Sequence, residues 1–87
     1  MLRIRTDDVD WVEAGDEVIA LDHRAAMYLS ANSSGAVLWR RLPAGATRLQ
    51  LVQELTERFA IDSEQAGSDV DRFLYQLSEA GLLATSG

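Results

Sequence analysis

Few side chains in this 87-residue sequence have the type and the setting that catalysis requires. The single histidine, His23, follows Asp22, and a carboxylate next to an imidazole can orient a general base. Both residues fall in a predicted turn, where a histidine is usually solvated. The sequence contains no cysteine, and therefore no thiolate nucleophile. We predict that the protein is not an enzyme.

Three aspartates near the N terminus, Asp7, Asp8 and Asp10, are the candidates for binding a metal ion. They lack the oxygen-rich loop with a positioned glycine and glutamate that calcium prefers. One histidine without any cysteine is a poor basis for a zinc site. The glycines are isolated and form no phosphate-binding motif. We therefore predict a solvated acidic cluster, with no metal and no cofactor.

Ser63 is the one serine whose neighbours suggest a modification. It follows Asp62, and acyl-carrier proteins attach phosphopantetheine to a serine in an Asp-Ser-Leu setting. Glu64 stands where that leucine would be, and Asp62 or Ser63 also suits the N-cap of a helix. The sequence favours the helix cap, and an acyl carrier stays as an alternative.

The net charge of −6 excludes one large class of partner. Nucleic-acid binding depends on cationic side chains that meet phosphates, and this surface would repel them. The apolar runs are far shorter than the roughly 20 residues that cross a bilayer. Residues 2–6 alternate, unlike the apolar segment of a signal peptide. We expect one cytosolic domain over residues 1–87, with an ordered core over about 9–83.

Hydrophobic alternation in the first half of the chain indicates short strands. It predicts strands over Val9–Glu13, Glu17–Leu21 and Ala26–Ser30. Gly15 suits the first turn, and Asp22 suits the second because its carboxylate can bond the nearby backbone. Short turns predict an antiparallel meander, preceded by residues 1–8 as a frayed end or an edge strand.

From Asn32 onward the hydrophobic period changes from two to 3.6. Helices are predicted over Ser33–Arg41, after a capping box at Thr47, and from Asp62 or Ser63 to about Ala80. The second helix is predicted to bury Leu49, Val52, Leu55 and Phe59, with Leu51 beside them, and the third to bury Val70, Phe73, Leu74 and Leu77. Leu82 and Leu83 are expected to fold back before a tail over residues 84–87.

These elements predict an α+β fold, in which an N-terminal three-stranded antiparallel sheet precedes three helices. The second and third helices resemble the helix-turn-helix half of a winged-helix domain. The third strand is the last one formed and is expected at the edge of the sheet. An open edge beside an apolar helix is a place where an extended peptide can bind.

The order and spacing of these landmarks resemble the PqqD-like family. The resemblance covers about Val9 to Leu83 and rests on Val18–Asp22, Met27–Leu29, Asn32, Gly35-Ala36, Leu38-Trp39, Leu42, Phe73-Leu74, Leu77 and Ala80–Leu83. The chain departs from the family pattern at Ala31, where a leucine is usual. It departs again at the turn residues Ala25 and Ala26, where the usual glycine is missing.

The resemblance implies a RiPP recognition element, a small non-catalytic domain that binds the leader region of a ribosomally made precursor peptide. A free-standing acidic chain of this length is most similar to the recognition protein of bacterial lasso-peptide pathways. Such a protein works with a leader peptidase and an ATP-dependent cyclase. A peptide chaperone of the pyrroloquinoline-quinone type is the alternative within the family.

In this family the leader adds as an antiparallel strand beside the third strand and against the third helix. The implied peptide-binding residues are Arg24, Ala25, Ala26, Met27, Tyr28, Leu29 and Ser30 on the strand side, and Asp69, Arg72, Phe73, Gln76 and Leu77 on the helix. Phe73, with Leu77 behind it, would form the floor of an apolar pocket, although both residues fit a core role equally well. Asp69 and Arg72 would meet charges of the leader at the rim.

Two further classes of function stay open besides the carrier protein. A winged-helix DNA-binding module needs a basic recognition helix, whereas the third helix carries Asp69, Asp71 and Glu79 against the single cation Arg72. A toxin–antitoxin or other small interaction module would use the same open strand.

Overall fold

The computed structural model describes residues 1–85 of the chain. Its elements, in chain order, are β1 (Leu2–Ile4), β2 (Val9–Ala14), β3 (Glu17–Asp22), β4 (Met27–Ala31), α1 (Ser33–Arg41), α2 (Arg48–Phe59), α3 (Ser63–Glu79) and β5 (Leu83–Thr85). No helix within these residues is long and apolar enough to cross a membrane.

Strands β2, β3 and β4 form the predicted antiparallel meander, in the order β2-β3-β4. Ala20 at the centre of β3 lies opposite Trp11 on one side and Leu29 on the other. Strand β4 begins one residue later than predicted because Ala26 has a φ of +55° and still belongs to the turn. It also extends to Ala31, whose side chain is buried.

A second, two-stranded sheet corrects the prediction of a single sheet. Strand β1 pairs with β5, with Leu2 opposite Thr85, and so joins the two ends of the chain. Leu2 also exchanges backbone hydrogen bonds with Ala46. The predicted tail therefore contributes Ala84 and Thr85 to a strand, while Ser86 and Gly87 lie outside the described residues. No local pattern indicates a pairing between such distant segments.

The helix boundaries follow the capping signals in the sequence. The Asn32 side chain accepts a hydrogen bond from the Gly35 N–H and caps α1. Thr47 and Gln50 form a reciprocal capping box at the start of α2. At the start of α3 the cap is Asp62, and Ser63 is the first helical residue.

Helix α1 forms the centre of the core, between the sheet and the other two helices. Leu38, Trp39 and Leu42 are almost completely buried. Trp39 contacts the partly exposed Trp11 of β2 edge to face, with ring centroids 5.5 Å apart. This packing anchors the inner face of the sheet to α1.

Part of the predicted burial of α2 was wrong. Leu49 is 64% exposed and Phe59 is 37% exposed, whereas Leu51 is completely buried. Val52 and Leu55 belong both to the predicted face, with Leu49 and Phe59, and to a second apolar face that contains Leu51. Packing against α1 and α3 buries this second face. In α3, Val70, Phe73 and Leu77 are buried and Leu74 is half-buried, as predicted.

Candidate functional site

Strand β4 is the open edge of the three-stranded sheet, as predicted. All five of its residues pair with β3, and within residues 1–85 the strand pairs with no other element. In an antiparallel pair the N–H and C=O groups of alternate residues point away from the partner strand. These outward groups of β4 are therefore available to a further strand.

The residue composition of this edge favours pairing with an additional strand. Residues 25–31 contain no charged residue, no proline and no glycine. The opposite edge, β2, carries Asp10 and Glu13, and the Glu13 carboxylate accepts a hydrogen bond of 2.6 Å from Arg40. Natural proteins use charges, prolines and bulges to prevent unwanted strand pairing. Strand β4 lacks these features.

A groove runs beside β4 along helix α3. Its wide part has a volume of about 440 Å³ and is lined by Ala20, Asp22, Met27, Tyr28, Leu29, Ser30, Gln76, Glu79, Ala80 and Leu82. Its narrow part has a volume of about 70 Å³ and is lined by Asn32, Ser34, Gly35, Asp69, Arg72, Phe73 and Gln76. Gln76 borders both parts.

The floor of the wide part is apolar. Ala20, Leu29 and Leu82 lie there with their side chains packed into the core. Above them Met27 is 58% exposed on β4. An exposed flexible thioether beside an apolar floor can adapt its shape to a bulky side chain from a ligand. The wide part is therefore suited to one or more apolar side chains.

The narrow part combines an aromatic floor with a charged rim. Phe73 lies on the floor, only 5% exposed. At the rim Arg72 and Asp69 form an ion pair of 3.6 Å, and the Gln65 amide donates to the same Asp69 carboxylate. A Cβ at Gly35 would lie 3.1 Å from the Phe73 ring, so glycine there lets the ring approach α1 closely.

The groove brings most of the predicted site residues together. Met27 to Ser30 line it from β4, and Asp69, Arg72, Phe73 and Gln76 line it from α3. Leu77 is completely buried and supports the groove from the core. Arg24, Ala25 and Ala26 lie in the turn before β4, outside the groove lining, and Arg24 forms an ion pair with Asp8.

Sequence reasoning missed several residues of the lining. Glu79 and Ala80 continue the helical face of Gln76 at i+3 and i+4, so the period of α3 could have identified them. Asp22 alternates with Val18 and Ala20 on the inner face of β3, which is also a local signal. Leu82 enters the groove only because the chain reverses after α3, and no local pattern predicts that position.

Asp22 is the buried charged residue of the groove lining, with 4% of its surface exposed. Burial alone raises the pKa of its carboxyl. Hydrogen bonds from the Arg5 guanidinium and from the backbone N–H groups of Arg24 and Ala25 outweigh that effect, and they lower the pKa below its ordinary value. The carboxylate is thus held in its ionised, fully paired form.

His23 and the three N-terminal aspartates considered for catalysis or metal binding lie outside the groove lining. The His23 ring pairs with the exposed Asp10 carboxylate at 2.7 Å, and not with Asp22. Within residues 1–85 no cluster of three or more histidine, cysteine or acidic side chains could hold a metal ion.

Comparison with known proteins identifies the family. A family model described as coenzyme PQQ synthesis protein D (PqqD) matches residues 17–83, which is most of the chain. The chain belongs to the PqqD family. This confirms the resemblance seen in the sequence, and the matched region contains both walls of the groove.

Two solved structures have the same fold as this chain. The structure described as TbiB1 in complex with the TbiA(beta) leader peptide has a TM-score of 0.84, with 24% identity over 98% of each chain. The structure described as lasso peptide synthetase B1 complexed with the leader peptide has a TM-score of 0.80, with 23% identity over 97% of this chain and 98% of that chain. Among curated protein sequences, none matches the chain.

Proposed function

We propose that this PqqD-family protein binds the leader region of a ribosomally synthesised precursor peptide by strand addition to β4, as a step in lasso-peptide biosynthesis. The observation that carries the proposal is the open, uncharged edge of β4 beside a groove with an apolar floor. Two proteins that share the fold are described as bound to leader peptides, which supports the same ligand class here.

Strand addition divides recognition into two components. The outward backbone groups of β4 supply hydrogen bonds that any peptide sequence can make. Successive side chains of an added strand point to opposite faces, so alternate leader residues enter the groove. The wide part then selects a bulky apolar side chain. At the narrow part, a charged side chain of the leader forms an ion pair with Asp69 or Arg72 and replaces the ion pair between these two residues.

We further propose that the protein has no catalytic role and presents the leader to a peptidase and a cyclase. The outer face of the sheet offers a surface for such enzymes. Val12 lies opposite Ile19, Leu21 lies opposite Tyr28, and all four side chains are exposed. This apolar patch adjoins the leader-binding edge. Because the ligand is a ribosomal product, we expect this role in the cytoplasm.

Fluorescence anisotropy with a labelled leader from the same gene cluster tests the proposal. Gln76 borders both parts of the groove, so Gln76→Trp should obstruct it and weaken binding at least roughly tenfold. Gln53→Trp is the matched control, because Gln53 is an exposed helical glutamine outside the groove lining. Absence of binding by the wild-type protein at tens of micromolar, or equal losses in the two variants, would refute strand addition at this site.

The alternative within the family, a peptide chaperone of the pyrroloquinoline-quinone type, uses the same site with a different peptide. Parallel titrations with a lasso-type leader and a pyrroloquinoline-quinone precursor discriminate between the two. The proposal expects clear preference for the lasso-type leader, and the opposite preference would assign the alternative pathway.

A further inference from the structure

Arg5 contacts three segments that meet at the wide part of the groove, although it does not line the groove itself. Its guanidinium pairs with the Asp22 carboxylate, donates 2.8 Å to the Asp7 carbonyl and donates 3.4 Å to the Gly81 carbonyl. Its backbone N–H donates 2.7 Å to the Leu82 carbonyl. One residue thus connects the N-terminal segment, the end of β3 and the chain reversal after α3.

Two of these partners lie at opposite sides of the wide part, Asp22 in its lining and Gly81 next to it. Asp22 ends β3 and leads into the turn before β4, on the strand wall. Gly81 lies between Ala80, which lines the helix wall, and Leu82, which lies on the floor. Within residues 1–85 no other side chain makes hydrogen bonds to both walls. The Arg5 guanidinium therefore links the two walls by side-chain hydrogen bonds.

We propose that Arg5 is a positioning residue for the leader, which sets the width of the wide part by holding Asp22 and Gly81 at a fixed separation. This inference rests on the proposed leader-binding function. A planar guanidinium can bond several acceptors at once in a fixed geometry. A groove held open in this way needs no ordering when the peptide arrives, and less binding energy is lost.

Removing the guanidinium would have two consequences. The Asp22 carboxylate would lose its cation while staying buried, which favours movement of the turn toward solvent. The helix wall would lose one of its links to the strand wall. The wide part would then sample several widths, and the leader would bind more weakly without losing any direct contact.

The test compares leader affinity in Arg5→Ala, Arg5→Lys and Asp22→Asn with a matched control, Arg48→Ala. Arg48 also joins two elements through hydrogen bonds, to Asp71 and to the Gly67 carbonyl, but it lies outside the groove lining. We expect roughly tenfold weaker binding for Arg5→Ala and Asp22→Asn, at most about twofold for Arg48→Ala, and an intermediate loss for Arg5→Lys. Circular dichroism identifies the variants that are folded at the assay temperature, and Arg5→Lys and Asp22→Asn carry the test if Arg5→Ala is unfolded.

Amide NMR spectra separate positioning from general destabilisation. In the Arg5 and Asp22 variants, the signals of Met27, Ala80 and Leu82 should shift, while those of Gly35 and Phe73 in the narrow part should stay in place. Unchanged affinity, an equal loss in Arg48→Ala, or shifts spread evenly over both parts would each overturn the inference. If the wild-type protein fails to bind the leader, the proposed function itself is refuted, which is a different outcome.

Discussion

N-methylation of the leader, one residue at a time, tests strand addition at the level of single hydrogen bonds. Strand β4 has five residues, all paired with β3 on one side. Because antiparallel strands alternate their hydrogen-bonding direction, two or three of those residues present an N–H and a C=O outward. An added leader strand therefore donates about two or three hydrogen bonds to β4, from every second leader residue.

The size of each effect follows from the burial of the lost bond. N-methylation of a donating residue removes the hydrogen bond and leaves a β4 carbonyl without its partner, at about 1–3 kcal/mol. That corresponds to roughly 5- to 150-fold in Kd. The intervening leader residues point their N–H groups away from β4, so their N-methylation should change Kd by less than about threefold.

Competition anisotropy with a set of synthetic N-methylated leaders measures the profile, and the unmodified leader sets the reference. The expected result is an alternation of large and small losses with a period of two. A uniform profile would show that backbone pairing does not contribute. A period near 3.6 would show that the leader binds as a helix, and either result would refute the reasoning.

Three further predictions concern stability, each measured by urea or thermal unfolding followed by circular dichroism. Ala60 ends α2 with a φ of +53°, so Ala60→Gly should stabilise the protein by about 1 kcal/mol, and a lower urea midpoint would contradict this. Trp39→Ala should destabilise it by about 3–5 kcal/mol. Trp11→Ala should cost less, because Trp11 is 36% exposed and Trp39 is completely buried, and losses of similar size would be inconsistent with the packing. The Arg48 guanidinium lowers the pKa of Asp71, and the pKa of Asp22 is also lowered in the folded protein. The unfolded chain therefore takes up protons first, and the free energy of unfolding should fall as the pH drops below 3.8 toward the folded-state pKa values. Asp71→Asn should weaken that pH dependence, and an unchanged dependence would argue against the Asp71 contribution.

Local patterns in the sequence were sufficient to locate most of the helices and strands and the open edge of the sheet. The capping side chains of Asn32, Thr47 and Asp62 define helix starts through hydrogen bonds three residues away, so they can be recognised without tertiary information. Alternation likewise located the strands of the meander to within a residue. The open edge followed from the order of the elements, because no later strand was predicted to cover β4.

Predictions that depended on how helices and distant segments pack against each other were less successful. The α2 stripe was predicted as Leu49, Val52, Leu55 and Phe59, with Leu51 beside them. Packing against α1 and α3 buries Leu51, Val52 and Leu55 and leaves Leu49 and Phe59 exposed. Leu82 reaches the groove through the chain reversal after α3, and the Arg5 guanidinium pairs with Asp22 from a distant segment. Neither arrangement leaves a periodic signal in the sequence.

The sequence by itself therefore determined where the helices and strands of the meander lie, that β4 ends the sheet, and that the surface is acidic and free of thiols. Only the tertiary structure decided that the two chain ends pair as β1 and β5 and that Arg5 joins the walls of the groove. The physical reason is the separation along the chain over which each interaction acts. Caps, turns and hydrophobic periods act over a few residues. The width of the groove depends on hydrogen bonds between segments that are distant along the chain and become neighbours only when the core is formed.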